Sequence, residues 1–194
     1  MDVPVRLYRV GELVHLQRFI EEGEILFRPL SYYRKIEDST RHDEFDGLHA
    51  FNVDGGKLSL INPVTGLTEG NWDLVGHSTY GDHAGNNVFV CCFSTAQISF
   101  EKPNLEIFDV AGLMNALEPL ISERNLQPIA GRVRYYNESL PLESFDEGMS
   151  WLKKRQSFSR EREFRIGFFD SSIEIAAGQA FRFGPLKRYA RLTD

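Results

Sequence analysis

The chain has 194 residues, 42% of them hydrophobic and 26% charged, with a formal net charge of −6. That balance suits one domain spanning 1–194 with a continuous core, and it excludes a disordered chain. No apolar run approaches the about 20 residues of a membrane span, and the two cysteines, Cys91 and Cys92, are neighbours that a strand would turn to opposite faces, which excludes a disulfide scaffold.

Val5–Val10 alternates apolar positions and predicts a strand. Glu12–Glu22 puts Leu13, Leu16, Phe19 and Ile20 on one helical face, with Gly23 as C-cap. Glu24–Arg28 reads as a short strand stopped by Pro29, and Thr40–Gly47 as a polar loop. His49–Val53 and Lys57–Ile61 flank Asp54-Gly55-Gly56, a hairpin signal, and Asn62–Gly70 is rich in turn residues. Val88–Ser94 is continuously apolar, as a central strand should be.

Asp109 is placed to cap a helix running to about Glu123, whose buried face would carry Leu113, Leu117, Leu120 and Ile121. Ile129–Tyr136 predicts a strand, Glu143–Lys154 a helix and Glu161–Phe169 a strand. Ile173–Ile175 and Ala180–Phe183 read as a further pair. Strands and helices mix without a regular βαβ beat. The expected class is therefore α+β, a single domain of mixed, mainly antiparallel sheets with packed helices.

Four segments carry candidate chemistry. In Glu161–Phe169, alternation sends Phe164, Ile166 and Phe168 to the core and leaves Glu161, Glu163 and Arg165 together on the other face. Two carboxylates about 7 Å apart repel unless a cation compensates, and Arg165 is the local cation. Such a pair suits a site that handles a cationic transition state, and it equally suits a half-solvated strand. In Val88–Thr95, the hydroxyls of Ser94 and Thr95 close an apolar strand where ligands meet sheets, or simply end it. Arg9 finishes an apolar stripe, as a phosphate contact or as a partner of Glu12. The Tyr32–Glu44 stretch brings Tyr32, Tyr33 and Arg41 into one charged, aromatic loop, a nucleotide clamp or a solvated loop.

Charge is uneven: residues 1–150 hold 12 Lys/Arg against 23 Asp/Glu, and 151–194 hold 10 against 5. The late cationic excess can meet the phosphates of a nucleotide or nucleic acid, or balance the acidic remainder as a solvated face. The opening MDVPVRLYRV lacks the order of a secretory signal, and with two unpaired thiols the expected location is a reducing cytoplasm. The histidines lack metal-site spacing, and no Walker A, G-x-S-x-G or G-x-G-x-x-G motif is present.

Taken in order, L-Y-R opening a strand, the E-I-L-F-R strand, the V-F-V-C-C-F-S-T centre and the late S-R-E-R-E-F-R resemble an uncharacterised bacterial family with an L-Y-[HR] start, a C-F-S centre and an E-x-E-x-R end. That pattern in turn resembles the ADP-ribosyltransferase superfamily, including toxins that modify DNA or RNA. The resemblance implies an ADP-ribosyltransferase-like fold, NAD as cofactor and transfer to a nucleic-acid or protein acceptor in bacterial or phage conflict, with an antitoxin or other partner protein. It implies Glu163 as the catalytic carboxylate with Glu161 upstream of it. Arg9 and Ser94 would contact NAD; by their strand-end and loop positions, Thr95, Tyr32, Tyr33 and Arg41 are further candidates to contact the same nucleotide. Ala96 stands where the family pattern has a serine. The rival expectations are a non-catalytic nucleotide-binding or inhibitory module, and a metal-dependent nuclease using Glu161 and Glu163.

Overall fold

The computed structural model describes residues 3–34, 46, 49–52, 56–61, 67–74, 77–80, 87–97, 103–136, 150–170 and 178–193. In chain order the first elements are β1 (Leu7–Val10), α1 (Leu13–Glu22), β2 (Glu24–Pro29) and α2 (Leu30–Tyr33). Then come β3 (His49–Asn52), β4 (Gly56–Ile61), β5 (Thr68–Leu74), β6 (His77–Tyr80), β7 (Val88–Ser94) and β8 (Asn104–Ile107). The remainder is α3 (Val110–Ser122), β9 (Gln127–Arg132), β10 (Arg134–Tyr136), β11 (Lys153–Arg155), β12 (Glu163–Phe169), β13 (Gln179–Arg182) and β14 (Ala190–Thr193).

Eight strands form one mainly antiparallel sheet, with few helices, so the fold is α+β. The order β13-β2-β7-β1-β8-β14 branches at β7, which also pairs along its whole length with β12, and β12 pairs in turn with β9. A strand has two edges, and β12 occupies one. β2 therefore shares the other with β1: β2 pairs at Phe89 and Val90, β1 at Ser94. The sheet forks between them.

Opposed residues in antiparallel strands share a face, which sorts the sheet into two layers. Leu7, Phe89, Cys91, Phe93, Leu105, Ile107, Phe164, Ile166 and Phe168 make one buried face, and they join Leu16 and Phe19 of α1 and Leu113, Leu117 and Ile121 of α3 in the main core. Much of this layer is aromatic: Phe168 stacks on Phe89 at 5.1 Å and meets Phe27 edge-on at 5.2 Å. On the opposite face Leu30, Val88 and Val90 form a smaller cluster with Tyr33, Cys92, Ile129, Trp151 and Phe169 against it. Both faces of β7 are covered, which is why its sequence is apolar without a break from Val88 to Phe93. Cys91 and Cys92 are free thiols on its two sides.

The helix ends follow their sequence signals. Gly23 ends α1 in the left-handed conformation (φ 65°), which only glycine adopts without penalty. The Asp109 carboxylate caps α3, accepting from Gly112 N at 2.9 Å. Leu120 lies at the margin of the helix face whose buried members are Val110, Leu113, Leu117 and Ile121.

Several expectations need correction. The strands flanking Asp54-Gly55-Gly56 do not pair with each other: β3 pairs with β6, and β4 with β5. The Asn-Pro and Thr-Gly turn signals of 62–66 fall between β4 and β5, and they join that pair instead. The described end of the expected helix at Glu143–Lys154 is one 3₁₀ turn, Ser150–Leu152, followed by β11, which pairs in parallel with β10. The Ile129–Tyr136 segment is two strands, parted at Val133. The late acidic strand begins at Glu163. Gln156–Glu161 is 3₁₀, and Arg162 stands between them in the left-handed region. The expected strand at Ile173–Ile175 lies outside the described residues, as does all of the Thr40–Gly47 loop except the buried Asp46. No helix among the described residues is long and apolar enough to cross a membrane.

Candidate functional site

A hollow of about 720 Å³ opens where four strand ends meet: the start of β1, the end of β7, the end of β9 and the approach to β12. Arg6, Tyr8, Thr95, Arg132, Tyr135 and Arg162 carry its chemistry. Thr95, just past the end of β7, is among the residues that line the hollow.

Behind this wall runs a polar rung. Registers set Glu106 of β8 opposite Tyr8 of β1, Tyr8 opposite Ser94 of β7, and Ser94 opposite Glu163 of β12. Ser94 is buried, and its Oγ accepts from Ala96 N at 3.1 Å. Glu106 is buried between two exposed arginines, with Arg6 at 2.7 Å on one oxygen and Arg191 at 2.7 Å on the other. Tyr135 in the wall touches the rung directly, since its hydroxyl accepts from Glu163 N at 2.8 Å. Burial pushes the Tyr135 phenol up to about 12, so it stays protonated and able to donate.

Glu163 is 4% exposed and belongs to a buried charge network. Its Oε1 accepts from Arg165 Nε at 2.7 Å, and its Oε2 lies 3.3 Å from Lys154 Nζ. Burial opposes ionisation here, but Arg165 and Lys154 overcome it and hold the carboxyl well below the usual carboxylate range. Lys154 also meets Glu161 Oε2 at 2.7 Å and lies 3.8 Å from Asp46. Burial works against its ammonium, and Glu163, Asp46 and Glu161 together keep it charged. Glu161, half-buried, is pushed up by burial, as is Asp46. Glu161 and Glu163 thus come together through Lys154 and not through strand alternation, because Glu161 precedes the strand.

The other expected residues lie elsewhere. Arg9 faces the side of the sheet away from Glu163: its guanidinium donates to Cys91 Sγ and lies 5.6 Å from the Phe93 ring. Tyr33 sits at the fork beside Cys92, its hydroxyl 3.5 Å from the Val90 carbonyl, and burial raises its phenol well above the ordinary value. Tyr32 packs edge-on against Tyr33 and lies under the Arg28 guanidinium at 4.0 Å. Arg41 lies outside the described residues. Of the expected residues the structure describes, Thr95 lines the hollow; Ser94, Glu161 and Glu163 adjoin lining residues in the chain without lining it themselves, and Arg9, Tyr32 and Tyr33 are set apart.

Sequence reading missed Tyr8, Glu106, Tyr135 and Asp46. Tyr8 and Glu106 gave only a weak signal, each a polar side chain within a strand, Glu106 between the buried Leu105 and Ile107. Among the described residues no group of three His, Cys, Asp or Glu is placed to hold a metal ion, and the carboxylates the nuclease expectation needs are held by Lys154 and Arg165. No family model, curated protein or solved structure matches this chain.

Proposed function

We propose that the hollow binds NAD and that the protein is an NAD-dependent ADP-ribosyltransferase-like enzyme acting on a nucleic-acid or protein acceptor in bacterial or phage conflict. The observation that carries this reading is a buried carboxylate, Glu163, kept ionised next in the chain to Arg162, which lines a hollow of nucleotide size, and paired in register with Ser94. Ligand pockets commonly measure about 300–1,000 Å³. Cleaving the nicotinamide–ribose bond builds positive charge on the ribose, and a fixed carboxylate in a dry site stabilises that charge. In this scheme Glu163 exchanges Lys154 for the ribose, and Glu161, more exposed, orients the acceptor. Two free thiols suit a reducing cytoplasm, where such a protein would meet its partners.

One observation favours a second reading, a non-catalytic nucleotide-binding or inhibitory module. Arg165 and Lys154 both neutralise Glu163, and a carboxylate so held offers less field to a developing cation. Nicotinamide release from NAD separates the two. The transferase reading expects turnover that falls by about 100-fold or more in Glu163→Gln. Calorimetric binding of NAD without any release supports the module, and absence of NAD binding removes both.

A further inference from the structure

The three arginines of the hollow are not equivalent. Arg6 is already paired with Glu106 at 2.7 Å. Arg132 and Arg162 have no carboxylate partner among the described residues, in a protein whose net charge is −6. Carboxylates are plentiful, yet two guanidiniums at one hollow go without one among the described residues.

Arg162 is also held in an unusual conformation. Its backbone is left-handed, φ 45° and ψ 48°, which a bulky residue adopts only when its surroundings enforce it. The enforcing contacts come from the same hollow: Thr95 N and Thr95 Oγ1 both donate to the Arg162 carbonyl, at 2.9 and 3.0 Å. Arg162 N in turn donates to Ser159 O at 3.2 Å. Across the wall, Val133 N donates to Glu163 O at 2.9 Å, so Arg132 and Arg162 each precede one member of a hydrogen-bonded pair. Two planar forks at the ends of adjacent strands, in a hollow that Tyr8 and Tyr135 also line, suit phosphate oxygens.

We infer that Arg132 and Arg162 form a phosphate clamp, that the ligand carries adjacent phosphates as a free nucleoside diphosphate or dinucleotide does, and that Thr95 is the positioning residue for Arg162. This rests on the reading of the hollow as the nucleotide site, and it names the group on the ligand that the site holds. Phosphates also line a nucleic-acid strand, so the test carries that source as a separate arm.

The full chain is titrated calorimetrically with ADP, inorganic pyrophosphate, adenosine and a single-stranded oligonucleotide. ADP and pyrophosphate should bind, and adenosine should bind much more weakly. Arg132→Ala and Arg162→Ala should each weaken ADP by at least about tenfold, the scale of a lost charge-assisted hydrogen bond. Both side chains are exposed, so both variants should keep the wild-type circular dichroism and melting temperature. Thr95→Val should weaken ADP, and Thr95→Ser should restore it, a pattern that a merely structural role would not produce. ADP affinity unchanged in both arginine variants overturns the clamp, as does tight oligonucleotide binding with no ADP binding. Nicotinamide release from NAD that persists in the Arg132→Ala/Arg162→Ala double variant overturns the clamp and leaves the transferase reading standing. ADP held through both arginines with no release from NAD does the reverse.

Discussion

Asp46 and Arg165 are separated by 119 positions and meet in a two-pronged ion pair, Arg165 Nη2 lying 2.7 Å from Oδ1 and 3.0 Å from Oδ2. Arg165 is fully excluded from solvent, and its other donors go to Glu163 and to the Trp151 carbonyl at 2.6 Å. One guanidinium thus ties three parts of the chain together.

Replacing Arg165 by Met keeps much of the volume and removes the cation. Asp46 and Glu163 are then left buried with Lys154 alone between them. Loss of one partner from a buried network costs about 3–5 kcal/mol, and urea denaturation of Arg165→Met should show a loss of that size. Adding Asp46→Asn should recover part of it, because the second change removes a charge the first stranded. A single-variant loss near zero would mean the network is solvated in solution.

The acid limb of stability should report Glu163. Its carboxyl titrates below the ordinary value of 4.5 when folded, so between those two values the unfolded chain takes up the proton first. Its stabilisation is complete above pH 4.5 and is lost as pH falls through the lower folded value. Asp46 and Glu161, raised by burial, act with the opposite sign. Wild type should therefore lose stability more steeply below pH 4.5 than Glu163→Gln, as read from chemical denaturation at a series of pH values. Parallel slopes would refute the assignment.

Gly167 lies in the middle of β12, opposite Val90 on one side and Ile129 on the other. A Cβ there would overlap the Phe89 carbonyl oxygen and approach its carbonyl carbon to 2.9 Å. The obstacle is backbone, which cannot rotate away. Gly167→Ala should cost about 1–3 kcal/mol or more, against the stabilisation that alanine usually brings to a strand. Thermal melting decides it.

The cap of α3 gives a smaller, cleaner number. Asp109→Ala removes the acceptor for Gly112 N at an exposed helix start. The expected loss is about 1 kcal/mol by denaturation, and Asp109→Asn should keep most of that contribution.

What could be read in the sequence was what local chemistry writes there. β7 was legible because both its faces are covered and Val88–Phe93 is therefore an unbroken apolar run. α1 and α3 were legible from their periodicity and their end residues, Gly23 and Asp109. β5 and β6 were not, since Thr-Glu-Gly-Asn-Trp-Asp-Leu and His-Ser-Thr-Tyr carry no alternating stripe. β8 hides because it is four residues long and two of them, Asn104 and Glu106, are buried polar groups, Glu106 being stabilised by Arg6 and Arg191.

The site was legible only in part, for the same reason. The Glu163–Arg165 pair follows from alternation, and the strand-end position of Thr95 follows from the break in the apolar run. Arg162 could not be foreseen in a left-handed conformation, because that position ordinarily signals itself with glycine or asparagine. Nothing in the sequence of the polar loop about Asp46 marks that carboxylate as one that turns inward.

The forked pairing of β7 has a consequence for synthesis on the ribosome. Its partners on one edge, β1 and β2, precede it, but its full-length partner β12 begins only at Glu163. Until that segment emerges, the most apolar strand of the nascent chain presents an unsatisfied edge, the kind of template that seeds misassembly. Fragments ending ahead of Glu163 should therefore collect in the insoluble fraction, and chaperone demand should be greatest late in translation.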